Sequence, residues 1–180
     1  ASQVTGMLLD PVEAISGAAV NESGGAVPGA LIEWDFDTDF ADFADGAGLY
    51  AIAGLAPGID VTLRGSAPGY RPALTFRKSR GETYDPANIE VGLVSEGAYA
   101  AWGGTFSPPQ NPLMGMIVGH VLDSNGAPLA GATVTVDPEV GQVHYFDAGG
   151  SPQVSLLQTG ASGTFIVLNV PGGLVTLSAV

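Results

Sequence analysis

The chain states one pattern twice. The first statement is Gly17-Ala-Ala-Val-Asn-Glu-Ser-Gly24 followed by Val27-Pro-Gly29-Ala30-Leu-Ile-Glu-Trp34. The second is Gly119-His-Val-Leu-Asp-Ser-Asn-Gly126 followed by Leu129-Ala-Gly131-Ala132-Thr-Val-Thr-Val136. Gly17, Gly24, Gly29 and Ala30 recur 102 positions later as Gly119, Gly126, Gly131 and Ala132. Further on, Gly48-Leu-Tyr50-Ala-Ile52 answers to Gly163-Thr-Phe165-Ile-Val167. Pro57-Gly58 with Val61-Thr-Leu63 answers to Pro171-Gly-Gly173 with Val175-Thr-Leu177. Repeats of this length constrain the chain to two tandem copies of one small module.

The repeated blocks read as strands and turns. Glu22-Ser-Gly-Gly25 and Asp123-Ser-Asn-Gly126 are turn chemistry, with glycine supplying positive φ. Ala30-Leu-Ile-Glu-Trp-Asp-Phe36 and Thr133-Val-Thr-Val-Asp137 alternate with period two, the mark of half-buried strands. Short strands between regular turns predict an all-β chain of two Greek-key β-sandwich modules. Composition agrees: 46% hydrophobic, 27 Gly and 13 Pro, with too much apolar surface for a disordered chain. The first module continues past the repeat through closing strands at residues 73–77 and 89–94. Ser95-Glu-Gly-Ala-Tyr-Ala-Ala-Trp102 is the one short helix expected, with Ser95 as its N-cap. The Gly- and Pro-rich stretch 103–112 reads as a linker. The first module is therefore placed at 1–110 and the second at 111–180.

In the second module, Gly119-x-Val121-x-Asp123, Gly126-x-Pro128-Leu129-x-Gly131-Ala132-x-Val134, Ser162-Gly163-x-Phe165 and Asn169-Val170-Pro171 stand together. This pattern resembles the carboxypeptidase regulatory-like domain. The first module carries a looser version and keeps Ala67-Pro-Gly-Tyr70. The resemblance implies a transthyretin-like (prealbumin-like, Ig-like) sandwich and a non-catalytic module of a secreted or cell-surface protein, bacterial in this reading. It brings no active site with it.

The net charge is −13, with 18 acidic residues against five basic ones, Arg64, Arg71, Arg77, Lys78 and Arg80. Such a chain repels nucleic-acid phosphates and anionic membranes. There is no cysteine, which excludes disulfides, thiolate catalysis and Cys-based zinc sites. Residues 148–180 carry no charge, but Gln153, Gln158, Asn169 and Pro171 interrupt them; no transmembrane helix is expected. No signal peptide is recognised.

The acidic run Asp35, Asp37, Asp39, Asp42 and Asp45 is the best site candidate. Asp35, Asp37 and Asp39 would share one strand face, with Trp34, Phe36 and Phe40 on the other. Oxygen ligands at that spacing suit Ca²⁺, or else form a solvated acidic face. Trp34, Trp102, Tyr99, Tyr145 and Phe146 are weighed as a carbohydrate-stacking platform, or else as core. Gly46-Ala-Gly48-Leu-Tyr-Ala51 matches a dinucleotide fingerprint formally, but it opens a strand rather than a helix. His144 lies near Asp147, yet no activated nucleophile accompanies them. Asn21-Glu-Ser23 is a glycosylation sequon on a turn.

The second module has no counterpart of the first module's closing strands. A sandwich short of a strand exposes an edge that another subunit can fill. Two explanations compete: the chain is cut from a longer protein or the last strand is dispensable, or another subunit supplies the strand, with residues 3–9 (Gln-Val-Thr-Gly-Met-Leu-Leu) as the donor and head-to-tail assembly as the result. The expected function is therefore a structural or adhesive surface protein, self-associating through edge strands. A calcium-assisted or carbohydrate-binding module, accessory to a secreted enzyme, is the alternative.

Overall fold

The computed structural model describes residues 13–55, 60–75 and 87–180. The described residues are all-β with one short helix, as the alternation and turn signals predict. The chain divides into two units between Tyr99 and Ala100.

In the first unit the strands are β1 (Glu13–Asn21), β2 (Leu31–Trp34), β3 (Asp37–Phe43), β4 (Leu49–Leu55), β5 (Leu63–Ser66), β6 (Tyr70–Arg71), β7 (Ala73–Leu74) and β8 (Ile89–Ser95). They form two four-stranded sheets, β4-β1-β8-β6 and β3-β2-β5-β7. Ile15, Ala19, Tyr50, Ile52, Val91 and Leu93 from one sheet meet Ile32 and Leu63 from the other in a single buried core. Every second residue of β5 and β8 points into it, and so do Tyr50 and Ile52 of β4 before its bulge, the period-two pattern read from the sequence. β1 pairs antiparallel with β4 and parallel with β8.

Helix α1 (Glu96–Thr105) follows β8. The Ser95 hydroxyl accepts the Ala98 amide at 3.2 Å, so Ser95 caps the helix as expected. Ser95 is itself held by Glu22, through hydroxyl and amide bonds of 2.6 and 3.1 Å. Those bonds outweigh Glu22's partial burial, which alone would raise its carboxyl pKa, and hold it below the ordinary carboxylate range.

The second unit contains β9 (Gly115–His120), β10 (Val134–Asp137), β11 (Gln142–Phe146), β12 (Pro152–Gln153), β13 (Thr164–Val170) and β14 (Thr176–Ala179). One sheet runs β12-β11-β13-β9; β10 and β14 make a two-stranded ribbon. The near-continuous apolar run of β13 is explained by burial on both faces. On one face, Phe165 and Val167 pack with Val134, Tyr145 and the half-buried Leu177. On the other, Ile166 and Leu168 pack with Phe146, Phe106 and Trp102.

That second face moves the domain boundary. Sequence composition placed it at 110/111, with 103–112 as a linker. Instead, the aromatic residues at 102 and 106 cover the sheet of the second unit, Trp102 meeting Phe146 edge-on at 5.2 Å. The stretch after them is tied down by amides. Gln110 Nε2 donates to the carbonyls of Asn111, Met114 and Gly115. Asn169 donates its backbone amide to Gln110 Oε1 at 2.8 Å, and its side chain bonds both Pro109 and Asn111.

Asn169 has φ 59°, and Gly54, its counterpart in the first unit, has φ 95°. Both stand where the strand register shifts. The bulge is thus repeated, and asparagine tolerates the left-handed conformation that glycine supplies in the first copy.

Candidate functional site

The acidic run does not form one face of one strand. β2 ends at Trp34 and β3 begins at Asp37, so Asp35 and Phe36 are the two-residue loop of a hairpin. The expected continuous strand is folded back on itself there. Asp35 turns to Arg64 at 2.8 Å, a half-exposed ion pair. Asp37 accepts the Asp39 amide at 3.1 Å, and Asp39 lies exposed on β3. Asp42 accepts the Phe43 amide with one oxygen and the Ala51 amide with the other, at 2.8 and 2.7 Å. Asp45 closes the turn into β4. The carboxylates of Asp35, Asp37, Asp42 and Asp45 each have their own partner, and among the described residues no three acidic or histidine side chains gather to hold an ion. The expected shared calcium face is absent from this geometry, because a hairpin loop parts Asp35 from Asp37 and backbone amides engage Asp42 and Asp45.

Asp45 belongs to a set the sequence showed only in part. Four five-residue turns share one hydrogen-bond pattern: Asn21-Glu-Ser-Gly-Gly25, Asp45-Gly-Ala-Gly-Leu49, Asp123-Ser-Asn-Gly-Ala127 and Asp147-Ala-Gly-Gly-Ser151. In each, Oδ1 of the first residue accepts the amides of the third and fifth at 2.8–3.0 Å. The first amide donates to the fifth carbonyl, and the fourth amide to the first carbonyl. The fourth residue is always glycine with φ 76–80°, the conformation this turn demands. The Ala127 and Asn125 amides hold Asp123 below the usual carboxylate range, and the Ser151 amide leads the same effect on Asp147. The sequon asparagine Asn21 is thus a turn residue whose side-chain oxygen is engaged. The Gly46–Ala51 stretch is likewise a hairpin turn and strand, as its rejection as a fingerprint required.

The histidines and aromatics are also structural. His144 is stacked on Phe106, with ring centroids 3.7 Å apart, and burial pushes its pKa down. Its Nε2 is buried without a hydrogen-bond partner among the described residues. Asp147 is bonded within its own turn and to Gln153. His120 Nδ1 lies 3.1 Å from the Thr164 hydroxyl. The five residues weighed as a stacking platform separate. Trp34 packs with Phe36 and Phe40 at the hairpin. Tyr145 and Phe146 are core, and Trp102 covers Phe146. Tyr99 receives the Arg71 guanidinium at 4.4 Å. Arg77, Lys78 and Arg80 lie outside the described residues, as do Phe76, the Pro57-Gly58 turn and the stretch 3–9.

What distinguishes the units is their sheet edges. The repeat makes β9 the counterpart of β1, β10 of β2 and β14 of β5. In the first unit all three are paired on both sides: β1 by β4 and β8, β2 by β3 and β5, β5 by β2 and β7. In the second, each has one neighbour among the described residues: β9 has β13, while β10 and β14 have each other. The remaining edges of the first unit are blunted by known devices. β6 and β7 are two residues long and flank Pro72. β3 carries three aspartates. Asp42 occupies the Ala51 amide of β4. In the second unit β12 is two residues long and contains Pro152, and β10 ends in Asp137-Pro138. β9 and β14 carry neither acid, Lys, Arg nor proline.

No protein-family model matches the chain, and no curated protein matches it. Two solved structures are similar over 94% of it. The Bacillus anthracis TIE protein is 17% identical with a TM-score of 0.34, and a Streptococcal ancillary pilin is 12% identical with a TM-score of 0.28. The chain spans 28% of the former's length and 53% of the latter's.

Proposed function

We propose that this chain is a non-catalytic structural protein of the bacterial surface or secreted space, whose second unit assembles with other copies through its sheet edges. The carrying observation is the contrast between the units. Among the described residues, three strand positions closed in the first are open in the second, and two of those open strands lack the charges and prolines that keep edges apart. The groups that would serve chemistry support the same reading: carboxylates cap backbone amides, and His144 is stacked in the core. The resemblance to carboxypeptidase regulatory-like modules supports a secreted or surface setting. No helix among the described residues is long and apolar enough to cross a membrane.

Strand addition from a second copy is the mode of association this predicts, with residues 3–9 as one donor to test. Sedimentation velocity from micromolar to millimolar concentration, with electron microscopy of the same samples, tests the reading. Discrete oligomers or filaments are expected; a clean monomer throughout overturns it.

A further inference from the structure

We infer that β9 pairs with the β9 of a second copy, antiparallel and across a two-fold axis. This rests on the second unit being the assembling one. Among the unguarded edges β9 is the longest, six residues against four for β14. Both of its faces are packed: Ile117 looks toward the ribbon side, Met116 and Val118 toward Phe106 and Trp102. Even so, Met116, Ile117 and Val118 remain half-exposed, and the two leucines flanking the strand are open to solvent, Leu113 by 93% and Leu122 by 52%.

A strand entering as β8 does is disfavoured by the second unit itself. In the first, Ile89 sits over Gly17, with its carbonyl oxygen 1.8 Å from where a Gly17 Cβ would lie. The buried Tyr50 hydroxyl donates to that carbonyl at 2.7 Å. The counterpart of Tyr50 is Phe165, which has no hydroxyl, and its ring tip lies 2.7 Å from the Cβ position of Gly119. A parallel strand in the β8 register would meet the ring and bring a carbonyl with no donor, a cost of the kind buried polar groups avoid. Among the described residues, every strand already belongs to a sheet. What the described residues of a second copy offer β9 is an edge.

Charge favours the same edge. A chain of net charge −13 repels its own copies over most of its surface. Residues 97–122 carry no acid or base except His120. Because N–H and C=O groups face one side at every second residue, a two-fold antiparallel pair must centre on a residue, Ile117 or Val118. Either register brings Leu113 of one copy within one position of Leu122 of the other, and sends the two Asp123 side chains to opposite ends.

The absence of cysteine makes cross-linking specific. Leu113→Cys and Leu122→Cys are prepared separately, mixed and treated with a flexible bis-maleimide, because positions one apart project from opposite faces of a sheet, and the parent chain is weighed by light scattering. A dimer of twice the 18.1 kDa chain mass is expected, with a mixed 113–122 cross-link and no 113–113 or 122–122 product. Leu122→Asp should weaken dimerisation at least tenfold, and Ser178→Lys, on β14, should leave it unchanged. Cross-links between like positions, or association lost in Ser178→Lys and kept in Leu122→Asp, overturn the β9 pairing while leaving edge assembly standing. A monomer at every concentration overturns both.

Discussion

β1 and β9 occupy the same place in their units, carry the repeated glycine (Gly17, Gly119) within the strand, and bend into the same turn. Gly17 faces Tyr50 across the ladder, as Gly119 faces Phe165. The Val20–Ala26 bridge returns as Leu122–Pro128. Yet β1 is flanked on both sides, and β9 on one. The second unit builds its sheet outward from β13 instead, by β11 and β12, and covers the far face with residues 102 and 106. One turn-and-core pattern therefore supports two different sheets. The shared residues set the hairpins, and the unshared ones decide which edge is closed.

That comparison breaks most readily at the cover. Phe106→Ala removes a side chain only 4% exposed and should cost about 3–5 kcal/mol; urea unfolding should show the second unit melting early and the first unchanged. A smaller effect, about 1–3 kcal/mol, is expected from Tyr50→Phe, which orphans the Ile89 carbonyl in the first unit. The reciprocal Phe165→Tyr should also destabilise, since it buries a hydroxyl where no carbonyl waits. If Phe165→Tyr proves stabilising, an acceptor sits over Gly119 after all and the two units are more alike than drawn here. Asp45→Ala should cost about 1 kcal/mol by calorimetry, and Asp123→Ala should destabilise in the same direction, because each closes the same kind of turn.

Acidity sharpens the contrast further. Burial lowers the His144 pKa from 6.5, so the unfolded chain binds the proton more readily. The stability His144 contributes is present above pH 6.5 and is lost as pH falls through its lower folded value. The second unit's melting temperature should drop over that range, and His144→Phe should flatten the drop. Least of all, Asp37→Asn and Asp39→Asn should shift stability by no more than about 0.5 kcal/mol. Millimolar calcium should leave the melting curve in place; a calcium-dependent rise lost in Asp37→Asn would restore the metal reading of the acidic hairpin.

Most of the hairpins were legible because their signals are local. An Asx residue with glycine three positions on specifies its turn within five residues, and Ser95 announces the helix start. The hairpin at Asp35-Phe36 escaped notice, for no glycine or asparagine marks it and the apolar alternation runs through it undisturbed. The strand Gln142-Val-His-Tyr-Phe146 escaped for another reason: it lies outside the repeat, and its pairing with β13 is a tertiary choice. The same holds for the cover. Gly103 to Pro112 reads as a linker by composition, while Gln110 and Asn169, far apart in sequence, hold it in place. The usable signal was the repeat itself, where Asn169 replaces Gly54 and Phe165 replaces Tyr50. A site of open edges is harder to read than one of side chains, since an edge is defined by the strand that is not beside it.

The parallel pairing of Gly17 with Ile89 also sets a schedule. A ribosome extends a chain at ~5–20 residues per second, and domains generally fold as units from the N-terminus during synthesis. About 70 residues separate these partners, so β1 waits ~4–14 seconds for β8 to be made. During that interval the nascent first unit carries, for a time, the bare edge that β9 keeps. Neighbouring nascent chains on one message would then be held apart by the charge of the Asp35–Asp45 hairpin, which is translated before β8.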